Sequence, residues 1–148
     1  MKELRRLLIE GSRLQNSKSK GSVIPLEKNE SHYLTRVLRL RKGDCVNVID
    51  GLGHLWKAFV QNPDSLRLAS EFDTPLINKA HPTIKTCLAI VLPKKGFEET
   101  LRMSCEMGVD IIQPLTSDYR VSMISDQKRI IRWESILKEA VEQSERFW

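Results

Sequence analysis

The sequence predicts a two-part chain, a small α+β barrel followed by the first part of an α/β unit. Three observations carry this. Short alternating strands separated by tight turns occupy residues 45–69. A polar segment with two prolines follows, Asp73-Thr74-Pro75 and then Asn78 to Pro82. Beyond it a continuous apolar run, a helix and a second apolar strand succeed one another, the pattern of a β-α-β unit.

The elements read as follows. Ser17-Lys18-Ser19-Lys20-Gly21-Ser22 has the composition of a flexible basic loop. Asn29 is an N-cap candidate for a short helix through about Leu40, with Tyr33, Leu34, Val37 and Leu38 on its apolar arc. Gly43-Asp44 ends it. Cys45–Ile49 and His54–Val60 flank the turn Asp50-Gly51-Leu52-Gly53 and form a hairpin. A further strand lies around Leu66–Ala69. The barrel is expected over residues 1–75, around Val37, Leu38, Val46, Val48, Leu55 and Phe59.

In residues 76–148, Thr86–Leu92 is apolar throughout, as a strand buried on both faces requires. Phe97–Met107 is a helix, with Glu98 and Glu99 in its first turn and Gly108 as its stop. Val109–Leu115 is the second strand, expected to be parallel to the first. Ser125 or Asp126 caps a last helix, with Ile130, Trp133 and Leu137 on one face. Two strands and two helices are a poor α/β domain, so this unit is expected to be incomplete at its C-terminus.

Composition narrows the function classes. The 148 residues hold 24 Lys and Arg against 19 Asp and Glu, with 41% apolar residues. No apolar run approaches the roughly 18 residues that a membrane span needs. The basic start lacks an apolar stretch and cleavage site, so secretion is not expected. Three scattered cysteines, without a C-x-x-C pair or zinc-like Cys/His spacing, suit a reducing cytoplasm and no metal. Residues 1–44 carry 11 Lys and Arg against 5 acids, a net of +6, whereas the remainder is close to neutral. A polyanion partner such as RNA fits that asymmetry, and so does an ordinary solvated surface.

Two constellations offer anion contacts. His32, Arg36 and Arg39 fall at i, i+4 and i+7, a stripe opposite the apolar arc of the first helix. Pro93-Lys94-Lys95-Gly96 follows a parallel strand and opens a helix, so it brings two ammonium groups to the carboxyl end of the sheet. Arg120 follows the next strand at the same end. No nucleophile, phosphate loop or paired acid and base is marked by its neighbours, and no catalytic residue is singled out. Cys87 and Cys105 read as core, and Cys45 begins a strand.

These residues resemble a known family. His32 with Arg36-Val37-Leu38-Arg39, Gly43-Asp44 and Asp50-Gly51 is similar to the PUA-like barrel of the ribosomal RNA small subunit methyltransferase E family. Leu92-Pro93-Lys94, Glu98, Glu106-Met107-Gly108-Val109 and Pro114-Leu115 resemble its lysine loop, its Glu-Leu-Gly turn and the strand after it. Trp133, Ile136, Glu139-Ala140, Glu142-Gln143-Ser144 and Arg146 resemble its last helix motif here. Met103 and Met107 replace residues common in the family, Arg120 is displaced by one place, and the loop at Lys94-Lys95 is shorter.

The resemblance implies an α/β SPOUT domain with a trefoil knot, methyl transfer from S-adenosylmethionine to N3 of a uridine in 16S ribosomal RNA, and a cytoplasmic homodimer. From the charge and spacing above, RNA contacts are expected at His32, Arg36, Arg39, Lys94, Lys95 and Arg120. The family's glycine-rich segments, which form the knot and cofactor pocket, have no counterpart in these residues. The expectation is therefore an N-terminal portion, inactive alone and without its own cofactor site. The alternative is a non-enzymatic RNA-binding module that has lost the knot.

Overall fold

The computed structural model describes residues 5–18, 22–117 and 126–147. They fall into two compact units. One runs to His81 and includes Phe147; the other is Pro82–Arg146.

The first unit is built on one sheet. Strand β1 (Arg6–Leu8) is followed by helix α1 (Gly11–Lys18), β2 (Val23–Pro25), α2 (Lys28–His32) and a single π turn over Tyr33–Val37. Then come β3 (Cys45–Ile49), β4 (His54–Asn62), β5 (Ser65–Leu68) and β6 (Ile77–Asn78). The order is β1-β3-β4-β5-β2, with β6 paired to β4. Among the described residues of this unit only the β1–β3 pair is parallel. Val46 and Val48 stand opposite Ala58 and Trp56, and all four point inward. They pack with Leu7, Leu14, Ile24, Leu34 and Leu66. Trp56 stacks on Phe72 at 5.3 Å and donates its indole N–H to the Phe72 carbonyl at 2.9 Å.

Several expectations change here. The basic segment at Ser17–Ser22 begins inside α1, because buried Leu14 and Ser17 hold that helix down and the Ser17 hydroxyl caps the Leu14 carbonyl at 2.6 Å. Glu27, not Asn29, caps α2, and its N–H is held by the Glu30 carboxylate at 2.9 Å. The helical run stops at Val37, not Leu40. The N–H groups of Leu38 and Leu40 close it on the carbonyls of Tyr33 and Leu34, and Arg39 leaves it with φ +55°.

Val37 and Phe59 are exposed, at 59% and 38%, rather than core. The π turn rotates Val37 off the buried arc. With Trp56 and Ala58 facing inward, alternation along β4 turns Phe59 to the opposite face.

The second unit holds β7 (Cys87–Val91), α3 (Phe97–Glu106), β8 (Ile111–Leu115) and α4 (Gln127–Gln143). Strands β7 and β8 are parallel and in register from Cys87↔Ile111 to Val91↔Leu115. Phe97, Leu101, Trp133 and Ile136 bury together, with Ile90 and Ile112 against them. Asp126 is the cap of α4 and accepts the Lys128 N–H at 3.0 Å. The β7 run is not buried on both faces. The helices cover the side of Leu88 and Ile90, whereas Cys87, Ala89 and Val91 are exposed among the described residues. Cys87 is thus a surface thiol rather than a core one, and Cys105 is buried.

Arg146 ties the end of α4 to the α3–β8 corner. Its guanidinium donates to the Cys105 and Val109 carbonyls at 2.9 and 2.8 Å and approaches Asp110 at 3.4 Å. Asp110 in turn accepts the Thr86 N–H at 2.7 Å.

Candidate nucleic-acid interface

In the first unit a run of exposed cations follows α2. His32 ends that helix, and Arg36 lies one turn on in the π segment. Both are exposed. Arg39 is exposed too, but its left-handed backbone places it outside the helix, so the three do not form one stripe. Arg41 and Lys42, which the stripe reading missed, extend the exposed run. Their signal was the uninterrupted Arg39-Leu40-Arg41-Lys42 segment itself.

The nearby carboxylates are engaged elsewhere. Asp44 accepts the Arg41 N–H at 2.7 Å, and Asp50 holds the His54 ring at 2.6 Å. Among the described residues no carboxylate pairs with the Arg36 or Arg39 guanidinium. Such groups remain available to phosphate.

The position of this run is fixed from beneath. Glu30 is 2% exposed, and its two oxygens accept from the Arg13 guanidinium at 2.8 and 2.9 Å. The hydrogen bond to Glu30 raises the Arg13 pKa, and burial offsets part of that rise. This pair joins α1 to α2.

In the second unit Lys94 and Lys95 border a groove of about 630 Å³ between the starts of α3 and α4. Gly96 turns the chain from the loop into α3 at φ +83°, a left-handed conformation that favours glycine. Arg102, Lys128, Arg129 and Arg132 also line the groove, making six cationic side chains against Glu98 and Glu99. Arg102 pairs with Glu99 at 2.9 Å and Arg132 with Glu98 at 3.4 Å. Both pairs are exposed and hold their partners weakly, at about 0–1 kcal/mol. Arg129 lies over the Trp133 ring at 5.3 Å, and Trp133 meets Phe97 edge-on at 4.7 Å. Among the described residues the ammonium groups of Lys94, Lys95 and Lys128 have no carboxylate partner.

Lys128 and Arg129 occupy the first turn of α4, where the helix dipole opposes positive charge. Sequence reading found Lys94 and Lys95 but not these partners, which arrive on a helix far along the chain. Arg120 lies outside the described residues.

Among the described residues no group of three or more His, Cys, Asp or Glu side chains could hold a metal ion. No described helix is long and apolar enough to cross a membrane.

Comparison with known proteins agrees with this basic, two-unit organisation. Residues 26–71 match the model of the RNA methyltransferase PUA domain, and residues 79–148 that of the RNA methyltransferase domain. The chain is 38% identical over 128 residues to ribosomal RNA small subunit methyltransferase E of Synechocystis sp., covering 86% of this chain and 41% of the relative. To the Buchnera aphidicola protein of that name it is 26% identical over 130 residues, covering 85% and 53%.

The chain thus spans about half the length of these relatives. The fold matches the crystal structure of a ribosomal RNA small subunit methyltransferase E from Neisseria gonorrhoeae bound to S-adenosyl methionine. The TM-score is 0.71 at 24% identity, over 97% of this chain and 58% of that one. Both domain models, matched in order along its length, are those of RNA methyltransferases, and the chain is similar to the ribosomal RNA small subunit methyltransferase E proteins.

Proposed function

We propose that this chain serves S-adenosylmethionine-dependent methylation of N3 of a uridine in 16S ribosomal RNA, and that its own part is to seat the RNA. The 38% identity to the Synechocystis methyltransferase is the observation that carries the reading. In this reading residues 1–75 form the PUA-like RNA-binding barrel. Residues 76–148 form the first part of a SPOUT domain, whose knot belongs to the longer family proteins. The cationic run at His32, Arg36 and Arg39 and the groove at Lys94 and Lys95 meet phosphates, and Arg120 is proposed to join them. A cytoplasmic homodimer follows from the family resemblance.

Among the described residues, the groove does not fit the cofactor. The groove concentrates six cations, whereas S-adenosylmethionine carries a sulfonium charge. Its aromatic side chains, Phe97 and Trp133, are buried against each other rather than opened to hold an adenine. These residues therefore bind and orient RNA, and no step is assigned to them at the methyl group.

A chimera tests the reading. Residues 1–148 replace the matching part of the Synechocystis methyltransferase, and N3-methyluridine is mapped in small-subunit RNA by mass spectrometry. The expected result is methylation at a single uridine. RNA binding without methylation would instead assign the chain to a binding module.

A further inference from the structure

The outer face of the first unit's sheet carries further cations beyond the run after α2. Its residues are the ones alternation turns away from the core. Register sets the open part of this face in two rows, Arg6, Asn47 and Lys57, then Cys45, Phe59, Arg67 and Val23, beside a third, apolar row of Leu8, Ile49, Leu55 and Ile77 in which Ile49 and Leu55 are buried. Phe59 is 38% exposed at the centre of the second row. Lys57 lies along the same strand with its ammonium 5.6 Å from the Phe59 ring. Lys57 and Arg67 are exposed, and neither carries an ion pair among the described residues. The six strands contain no Asp or Glu at all. A partly exposed aromatic ring with a lysine and an arginine beside it, on strands without acids, has the chemistry of a base-stacking surface.

We propose that this face is a stacking platform for a single-stranded RNA segment. An unpaired base lies on the Phe59 ring. Lys57 and Arg67 meet the phosphates on either side of it, and the Asn47 amide reaches a base edge. Successive outward residues on a strand stand about 7 Å apart, close to the reach of one extended nucleotide. Charge complementarity selects this occupant over an apolar protein surface, because two cations, Lys57 and Arg67, flank the ring. The inference rests on the RNA reading above and adds a site that discriminates unpaired from paired RNA.

Fluorescence anisotropy with an unstructured oligouridylate of about 12 nucleotides is the test, with an RNA duplex of equal length as the comparison. Phe59→Ala and Phe59→Leu are expected to weaken oligouridylate binding about tenfold without changing its salt slope, while Phe59→Tyr binds as the parent does. Duplex binding is expected to be unchanged in all three. Lys57→Ala and Arg67→Ala are each expected to lower the single-strand salt slope by about 0.7. Saturating oligouridylate is also expected to slow alkylation of Cys45, the cross-strand neighbour of Phe59, in a Cys87→Ser background.

If Phe59→Ala and Phe59→Leu bind as the parent does while Lys94→Ala and Lys128→Ala weaken binding, the platform is wrong and the RNA reading survives. If the parent chain binds neither RNA, both are overturned. Self-association that Phe59→Ala abolishes would give the face to a second copy and also overturn the platform.

Discussion

The Arg13 guanidinium holds both carboxylate oxygens of Glu30 where that carboxylate is almost wholly buried. Arg13 also donates to the Pro25 carbonyl at 2.9 Å, so one side chain binds α1 to β2 and α2. The bidentate geometry matters because a buried carboxylate without its partner keeps its full desolvation cost. The pair thereby sets the angle at which α2 presents His32 and Arg36.

Arg13→Met is expected to lower the unfolding free energy by about 3 kcal/mol in urea titration, since it strands the Glu30 charge. Adding Glu30→Leu should recover most of that loss by removing the orphaned charge. A double variant no better than Arg13→Met would mean that the Glu30 carboxylate is needed for its hold on the Glu27 N–H and does not act as an orphaned charge.

Arg36→Ala is expected to lower the salt slope of RNA binding by about 1 unit, with little effect on stability. Arg39→Ala should act additively, because Arg39 sits beyond the helix with its own backbone geometry. Titration of binding against salt checks both. An unchanged slope would make this run an ordinary solvated surface.

The thiols should differ in reactivity. Cys87 is exposed, Cys45 half-buried and Cys105 buried. Burial pushes both the Cys45 and Cys105 thiols upward, and the Arg146 guanidinium pulls Cys105 partly back. Alkylation followed by mass spectrometry is expected to label Cys87 first, then Cys45, and Cys105 only on unfolding. The sign for stability follows. The folded state keeps these protons above pH 9.0, the ordinary value, where the unfolded chain loses them. That contribution is intact below pH 9 and declines as pH rises beyond it.

The hairpin and the β-α-β unit were legible because their signals are local. Alternation fixes β3, the Asp50–Gly53 turn fixes β4, and Gly108 marks the end of α3. What was not legible depends on distant partners. Strands β1 and β2 are three residues long and exist through pairing with β3 and β5. Glu30 reads as a surface residue until Arg13, seventeen positions earlier, is brought to it. Placing Phe59 in the core with Val46 and Val48 required a register that the turn does not allow. The pairing Val46↔Ala58 puts Phe59 on the other side. In the candidate site, Lys94 and Lys95 were visible as a break after an apolar run. Lys128, Arg129 and Arg132 looked like any solvated helix face until α4 packed beside α3.

The placement of Lys128 separates stability from binding. It stands in the first turn of α4, just after the Asp126 cap, where exposed N–H groups already give the helix end a partial positive charge. A lysine there works against the helix, and a glutamate would work with it. Lys128→Glu is therefore expected to stabilise the protein by about 0.5 kcal/mol in thermal or urea unfolding. The same change removes one cation from the groove and adds an acid opposite Lys94 and Lys95, so RNA affinity and its salt slope should both fall. Lys128→Gln should lie between the two on each axis. Opposite movement of stability and affinity would identify the charge as kept for RNA at a cost to the helix. Parallel loss of both would show that Lys128 supports the fold, and unchanged affinity would take α4 out of the RNA site.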